Sequence, residues 1–390
     1  MAPLAGLAAI PLVVAVGAAV DYSRASALRA AMQGALDSTA LRLEGEDAQS
    51  VDQARPIFTA LFDHSEVQNI SVGGTANNSS DEGSVSLAAS GSVNTVFMSL
   101  MGISTVSLDV RSSATKSRRT DGCVLALNST ADGAVSDGGS TDTSLNNCSV
   151  YSNSKSRLAL TVGGSATLSA LSIGTVGQVS LSGNVTTTDG VGTGLAPIAD
   201  PYSDVTFPSF SECTQTNYNV NTTTTINPGV YCRGLSVNAG ATLTLNPGIY
   251  YIDQGSLSVN GGATITGQGV TLVFTSSTGK NWATATINGN ATVNLTAPIS
   301  GPTAGIVIFG DRQIPSGTAF KFNGGSSQYL GGAVYVPTGA ISYSGGSGTS
   351  TSCTQIIGDT VNFTGNSDVA INCSGYQTRS FGSSVVKLAS

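Results

Sequence analysis

The chain has 390 residues, with 16 Lys and Arg against 23 Asp and Glu, a net charge of −7 and only 10% charged side chains. That balance excludes a basic nucleic-acid binder, and 40% apolar residues with 48 Gly exclude a charge-rich disordered chain. The length accommodates one large elongated domain and a smaller one.

Met1 to Val20 carries no charged side chain and is rich in Ala, Val, Leu and Ile. As a helix it extends about 30 Å, enough for a hydrocarbon core, and Pro11 kinks it without forbidding a span. The alternative is a cleaved signal peptide, with Val16-Gly17-Ala18 as a small-residue cleavage site. No basic segment precedes the run, and helical patterning continues through Asp21-Tyr22-Ser23-Arg24 to Leu43, which favours an uncleaved anchor. Ala25 to Leu43, with Leu28, Met32, Leu36, Leu41 and Leu43 among Ala, predicts an amphipathic stem. Arg24 and Arg29 follow the span on the side expected to be exported, against the positive-inside rule. The expectation is that the natural chain begins upstream, with Met1 an internal or misassigned start.

Residues 46–120 predict a small α/β region. Within it, Val93 to Ala114 joins an apolar Phe97-Met-Ser-Leu-Met-Gly102 segment to the alternating Val106, Leu108 and Val110. The run Ala9-Ile-Pro-Leu-Val-Val-Ala-Val-Gly-Ala-Ala-Val-Asp-Tyr-Ser-Arg-Ala25, followed by Ala35-Leu-Asp-Ser-Thr-Ala-Leu41, resembles the N-terminal module of TadG-like proteins. These belong to the tight-adherence (Tad/Flp) pilus-assembly group. Gly17 to Arg24 is the most specific part, and the resemblance extends over roughly the first 120 residues. It implies a single-span envelope protein, pilin-like at its N-terminus, with its bulk exported.

Many relatives in that group then carry a von Willebrand factor A domain with an Asp-x-Ser-x-Ser metal site. This chain reads Cys123-Val-Leu-Ala-Leu-Asn-Ser-Thr130, with Asn128 where the first Asp belongs, so metal-dependent adhesion is not carried over. Cys123 to Cys373 instead resembles the cysteine-containing β-helical region of other members.

From residue 160 the chain repeats one pattern: alternating apolar residues, a Gly/Asn/Ser corner, Ala-Thr, then alternation again. It reads Leu160-Thr-Val-Gly-Gly-Ser-Ala-Thr-Leu168, Leu235-Ser-Val-Asn-Ala-Gly-Ala-Thr-Leu243, Leu257-Ser-Val-Asn-Gly-Gly-Ala-Thr-Ile265 and Ala285-Thr-Ile-Asn-Gly-Asn-Ala-Thr-Val293. Ala241 and Ala263 lie 22 residues apart, and weaker corners at Gly324, Gly345 and Gly365 follow at 21 and 20. A period of this size with strand-like alternation predicts a solenoid. Gly and Asn supply corners with φ > 0, and Val, Ile, Leu and Thr stack one face into a core. A leucine-rich repeat is excluded by the missing Leu-x-x-Leu-x-Leu blocks and helical half. Asn227-Pro-Gly-Val-Tyr-Cys232 and Asn246-Pro-Gly-Ile-Tyr-Tyr251, 19 residues apart, read as turn-then-strand units. Gly190 to Tyr218, with Pro197, Pro201 and Pro208, breaks the repeat and reads as a loop pinned by Cys213. The polar stretch from Tyr376 to Ser390 is suited to capping an end.

The six cysteines fall as Cys123 with Cys148, Cys213 with Cys232, and Cys353 with Cys373, at separations of 25, 19 and 20. Six cysteines admit many connectivities. About one coil of chain between partners favours pairing neighbours. There is no C-x-x-C or zinc spacing and His64 is the lone histidine, so disulfides in an oxidising compartment are expected rather than a metal site.

Enzymes on a β-helix need clustered acids or Ca²⁺-binding carboxylates. From residue 160 onward the acids Asp189, Asp200, Asp204, Glu212, Asp253, Asp311, Asp359 and Asp368 are scattered singly, and no His is present. Asp311-Arg312 is the one tempting acid and base pair, with a turn or loop ion pair as its bland alternative. Trp282, Tyr250, Tyr251, Tyr329, Tyr335 and Tyr343 suit internal stacks better than sugar platforms. Sequons such as Asn128-Ser-Thr130 follow from composition.

The expected fold is mainly β: a right-handed parallel β-helix over residues 121–390, preceded by a transmembrane and stem helix over 1–45 and a small α/β region over 46–120. The expected function is a Tad/Flp pilus assembly factor or minor pilin-like subunit in surface attachment, without catalytic residues, cofactor or metal. The expected partners are other pilus-assembly or pilin-like subunits, the inner membrane through the N-terminal helix, and surface carbohydrate. A tethered carbohydrate-active lyase or hydrolase and a stand-alone adhesin are the alternatives.

Overall fold

A computed structural model describes the chain except residues 1, 46–50, 79–82, 117–120, 208, 326, 347–352, 371, 374, 383–385 and 390, and except the side chains of 2–14 and 387. The chain is mainly β, with an N-terminal helix and a large sheet of parallel strands. It divides into two compact units, Met1–Arg119 with Ser384–Ser390, and Thr120–Ser383.

In the first unit, helix α1 (Ala2–Gly45) runs unbroken for 44 residues and is followed by α2 (Ala54–Leu61). Strands β1 (Val67–Asn78), β2 (Gly83–Asn94) and β3 (Thr105–Lys116) form an antiparallel sheet, with the terminal strand Val386–Leu388 beside β3. The register pairs Val85 with Ala114 and Ala89 with Val110, so period-two alternation turns Val85, Leu87, Leu108 and Val110 to one face. Leu28, Met32, Leu36 and Leu43 of α1 bury against that face together with Phe58 and Phe62. Each such side chain contributes about 1.5–3 kcal/mol by burial, so packing rather than intrinsic propensity holds this half of α1. Among the described residues no helix is long and apolar enough to cross a membrane. Most of the apolar run expected to span falls in residues 1–14, whose side chains lie outside the description.

In the second unit, Gly248–Asp253, Ser256–Val259 and Thr264–Gly267 form one set of three strands, and Val270–Thr275, Thr284–Ile287 and Thr292–Thr296 form the next. Each strand pairs in parallel with its counterpart: Tyr250 with Leu272, Leu257 with Ala285, and Ile265 with Val293. The same register lines up Val237, Val259, Ile287, Phe322, Tyr343 and Phe363 as one buried column. The corners explain the repeated Asn-x-Gly-Ala. Ala241, Ala263 and Ala291 donate their N–H to Asn238, Asn260 and Asn288 at 2.9, 2.9 and 3.2 Å. The residue before each alanine has φ > 0, at 76° for Gly240, 78° for Gly262 and 64° for Asn290. The Asn amides join along the stack, Asn260 donating to Asn238 at 3.1 Å and Asn238 to Asn221 at 2.6 Å. In the two Asn-Pro-Gly units, the Tyr231 and Tyr250 hydroxyls each donate to the Asn carbonyl that opens their own unit, at 2.8 Å, and their rings stack at 6.0 Å.

The stacking order is not the chain order. Thr354–Ala370 pairs with Gln328–Gly345 on one side and, on the other, with Gly122–Ala126, Val135–Asp137 and Asp142–Asn146. The chain therefore begins the stack in its middle, runs out to Val191–Gly192, and resumes at Gln215–Val220 at the opposite end. The segment expected as a loop, Gly190 to Tyr218, contains a strap that crosses the strand sets between these ends. Ile198 exchanges hydrogen bonds with Asn153 at 2.7 and 2.8 Å. Tyr202 donates to Gln355 at 2.9 Å, Phe207 meets Phe309 at 5.6 Å, and Phe210 stacks on Tyr251 at 5.0 Å. The polar tail also differs from its expected role as an end cap. Tyr376 reaches Tyr329 at 2.8 Å, the Arg379 N–H reaches the Tyr202 hydroxyl at 3.1 Å, and Phe381 packs on Tyr151 at 6.3 Å, so this stretch lies alongside the middle of the stack.

Candidate functional site at the loop held by Gly17 and Asp21

Gly17 and Asp21 lie one helical turn apart on the same face of α1, and both hold the connection between β2 and β3. A Cβ at Gly17 would fall 2.5 Å from Phe97 Cγ, so the phenyl ring rests on the bare backbone of the helix. One turn on, the Asp21 carboxylate accepts three backbone N–H groups, from Val96 at 3.1 Å and from Phe97 and Met98 at 2.8 Å. These are the free donors at the start of the short 3₁₀ turn Met98–Met101, the groups a helix start leaves unsatisfied. The Met98 N–H foremost, helped by Val96, Phe97 and the Arg24 charge, holds the Asp21 carboxyl below its ordinary value of 3.8 against opposing desolvation. Gly102, at φ 84°, closes the turn with its N–H on Ser99 at 3.0 Å, and Ile103 donates back to Met98 at 3.1 Å.

The loop so fixed displays its apolar side chains. Leu100 is 79% exposed and Val96 and Met101 are each 60% exposed, with Phe97 and Ile103 also open to solvent. Val16 and Val20 of α1 are exposed as well. The 3₁₀ turn thus carries its apolar residues outward, an arrangement of the kind that marks interaction surfaces.

Elsewhere the sequence candidates have structural roles. Disulfides join Cys123 to Cys148, Cys213 to Cys232 and Cys353 to Cys373, with Cα atoms 5.5, 5.7 and 4.8 Å apart. The first links neighbouring strand sets, the second ties the strap to the stack, and the third ties the tail to the strand Thr354–Ala370. Asp311 accepts from the Thr275 hydroxyl at 2.7 Å and the Gln313 N–H at 2.9 Å, as a turn residue does. Arg312 turns away from it, donating to Tyr335 at 3.0 Å and to the strap carbonyls of Val205 and Tyr202 at 2.9 and 2.5 Å. Its guanidinium lies 5.7 and 5.4 Å from the Phe309 and Tyr335 ring centres. Tyr250, Tyr251, Tyr335 and Tyr343 are buried and Trp282 packs against the core. Asn128 caps its own turn through the N–H of Thr130 and Ala131 at 3.0 and 2.8 Å. Among the described residues no group of three or more His, Cys, Asp or Glu is placed to hold a metal ion.

In the sequence Asp21 is one member of a motif, and its role is invisible there because its partners are backbone groups about 75 residues away. The legible signal was a lone carboxylate at the end of a charge-free apolar run.

Residues 1–42 match the family described as putative Flp pilus-assembly TadE/G-like, the family that the N-terminal run resembles. Gly17 and Asp21 fall inside the match. No curated protein and no solved structure matches the chain.

Proposed function

We propose that the chain is a membrane-anchored envelope protein that acts in Tad/Flp pilus assembly, as an assembly factor or minor pilin-like subunit in surface attachment. The observation that carries this reading is the family match over residues 1–42 lying on a single helix, α1. The charge-free run to Val20 forms a single-pass anchor in the inner membrane, and the buried face beyond Ala25 forms a stem over residues 1–45. Residues 46–120 form the region that follows, with the terminal strand Val386–Leu388 in its sheet, and the expected bound of 390 draws back to Ser383 for a right-handed parallel β-helix from residue 121. Parallel pairing at a repeat of about one coil and an inward apolar column support that winding, and right-handed crossovers are the rule between parallel strands.

Three disulfides support an oxidising compartment for this part, periplasmic or extracellular. The mechanism is non-covalent: the anchor packs against other pilin-like helices in the membrane, and the stiff stack projects a contact surface toward other subunits or surface carbohydrate. Asp311 in a turn and Arg312 in a strap clamp each have structural partners, so that adjacent pair does not support the enzymatic alternative.

A deletion strain complemented with the intact gene or with Asp311→Ala tests this. The expected outcome is loss of sheared surface pili or of attachment, restored equally by both versions. Normal pili and attachment in the deletion strain would remove the reading.

A further inference from the structure

We propose that the loop Val96–Ile103 is a membrane-interface wedge: its apolar side chains enter the boundary of headgroups and acyl chains of the bilayer that the α1 run anchors in. The inference rests on the anchor reading above and adds a second point of attachment to it.

Three observations meet at this loop. It exposes Val96, Phe97, Leu100, Met101 and Ile103 within eight residues, although the N–H groups of Val96, Phe97, Met98, Leu100, Gly102 and Ile103 are all hydrogen-bonded. It is fastened to α1 at Gly17, in the last turn of the charge-free run, and at Asp21, the first charged residue after it, so its depth matches the end of that run. Arg24 and Arg29, both exposed, begin directly beyond it, where phosphate headgroups of an anionic bilayer follow the hydrocarbon. Apolar residues at the boundary with basic residues just outside are the pattern of an interfacial element.

The charge on Asp21 fits the same geometry. A carboxylate near hydrocarbon is unfavourable unless fully hydrogen-bonded, and here three N–H groups satisfy it while it satisfies them. Asp21 is thus a positioning residue: it sets the loop at one depth and one orientation relative to α1. Gly17 completes the seat, because any side chain there would displace Phe97.

The test uses the full chain, with the single Trp282 replaced by Phe and one Trp placed at Leu100, Val13 or Ala88. Each version is reconstituted in phosphatidylcholine and phosphatidylglycerol vesicles with brominated acyl chains. Leu100→Trp and Val13→Trp are expected to emit at shorter wavelength and to lose most of their emission to bromine, whereas Ala88→Trp on the exposed sheet face keeps its emission. Adding Gly17→Val is expected to reduce quenching at position 100 and leave position 13 unchanged. Quenching at 13 without quenching at 100 would overturn the wedge and leave the anchor. A blue shift at 100 without bromine quenching would assign the patch to a protein neighbour and overturn it too. Equal quenching at 88 and 100 would overturn it in favour of contact by the whole sheet. Absence of quenching at 13 as well would sink the anchor reading itself.

Discussion

The Asp21 carboxylate and the Met98 N–H, 77 residues apart in the chain, meet at 2.8 Å. The bond joins the helix that matches a pilus-assembly family to the loop between two strands that the match does not reach. The carboxylate works only while ionised. Its folded value lies below the ordinary 3.8, so its stabilising effect is complete above that value and is lost as pH falls through the folded one. Fluorescence of Leu100→Trp in the Trp282→Phe chain is expected to report loop release in that acid window. Asp21→Asn is expected to release the loop at neutral pH and abolish the acid transition; an unchanged transition would refute the role.

Gly262 tests the corners. A Cβ there meets open space, so only its φ of 78° opposes a side chain. Gly262→Ala is expected to destabilise by about 1–2 kcal/mol. Gly262→Asn is expected to cost less, because Asn290 already adopts φ 64° at the matching corner. Denaturant midpoints of the two variants decide this.

Arg312 tests the strap. Arg312→Ala removes charged hydrogen bonds to Tyr335, Val205 and Tyr202 and is expected to destabilise by about 2–3 kcal/mol. Limited proteolysis is expected to cut between Ile198 and Phe210 in the variant before the rest of the unit. Arg312→Lys is expected to behave like the alanine variant, since one ammonium lacks the fork that reaches several acceptors. Asp311→Ala, which leaves these contacts intact, is expected to keep the strap protected.

Asp137 tests the buried column. It pairs with Phe363 on one side and Val162 on the other, inside an otherwise apolar row. Burial pushes its carboxyl above the ordinary 3.8, against the Thr141 hydroxyl that donates to it, and its Oδ2 has no hydrogen-bond partner. A raised folded value means that the folded state holds its proton longer, so the contribution of this group to stability falls as pH rises from about 3.8 through the folded value. Asp137→Asn is expected to flatten that decline in thermal melts followed from acid to neutral pH; an unchanged decline would assign it to other groups.

Much of this was legible in the residues. The alternation and the Asn-x-Gly-Ala corners are local, since φ > 0 selects Gly or Asn wherever a turn needs it. The stem positions Leu28, Met32, Leu36 and Leu43 carry the helical period and are buried as that period requires. Leu41 is the partial exception, packed at the edge of the cluster. The lone acid and base pair at Asp311-Arg312 misled because adjacency in sequence does not set side-chain direction in a turn: Asp311 meets Thr275 and its own turn, while Arg312 reaches Tyr335 and the strap.

The sequence by itself determined the strand alternation, the corners, the long N-terminal helix and a set of cysteines suited to disulfides, because each depends on residues within a turn or a strand set of one another. Only the tertiary structure decided which strand set follows which, where the strap and tail lie, and what Asp21 holds. A repeating pattern states how one strand set pairs with the next but carries no mark of where the pairing begins, so Gly122–Ala126 pairing with Thr354–Ala370 follows from global packing. Asp21 is likewise recognised by backbone N–H groups, which every residue but proline possesses and no sequence pattern singles out.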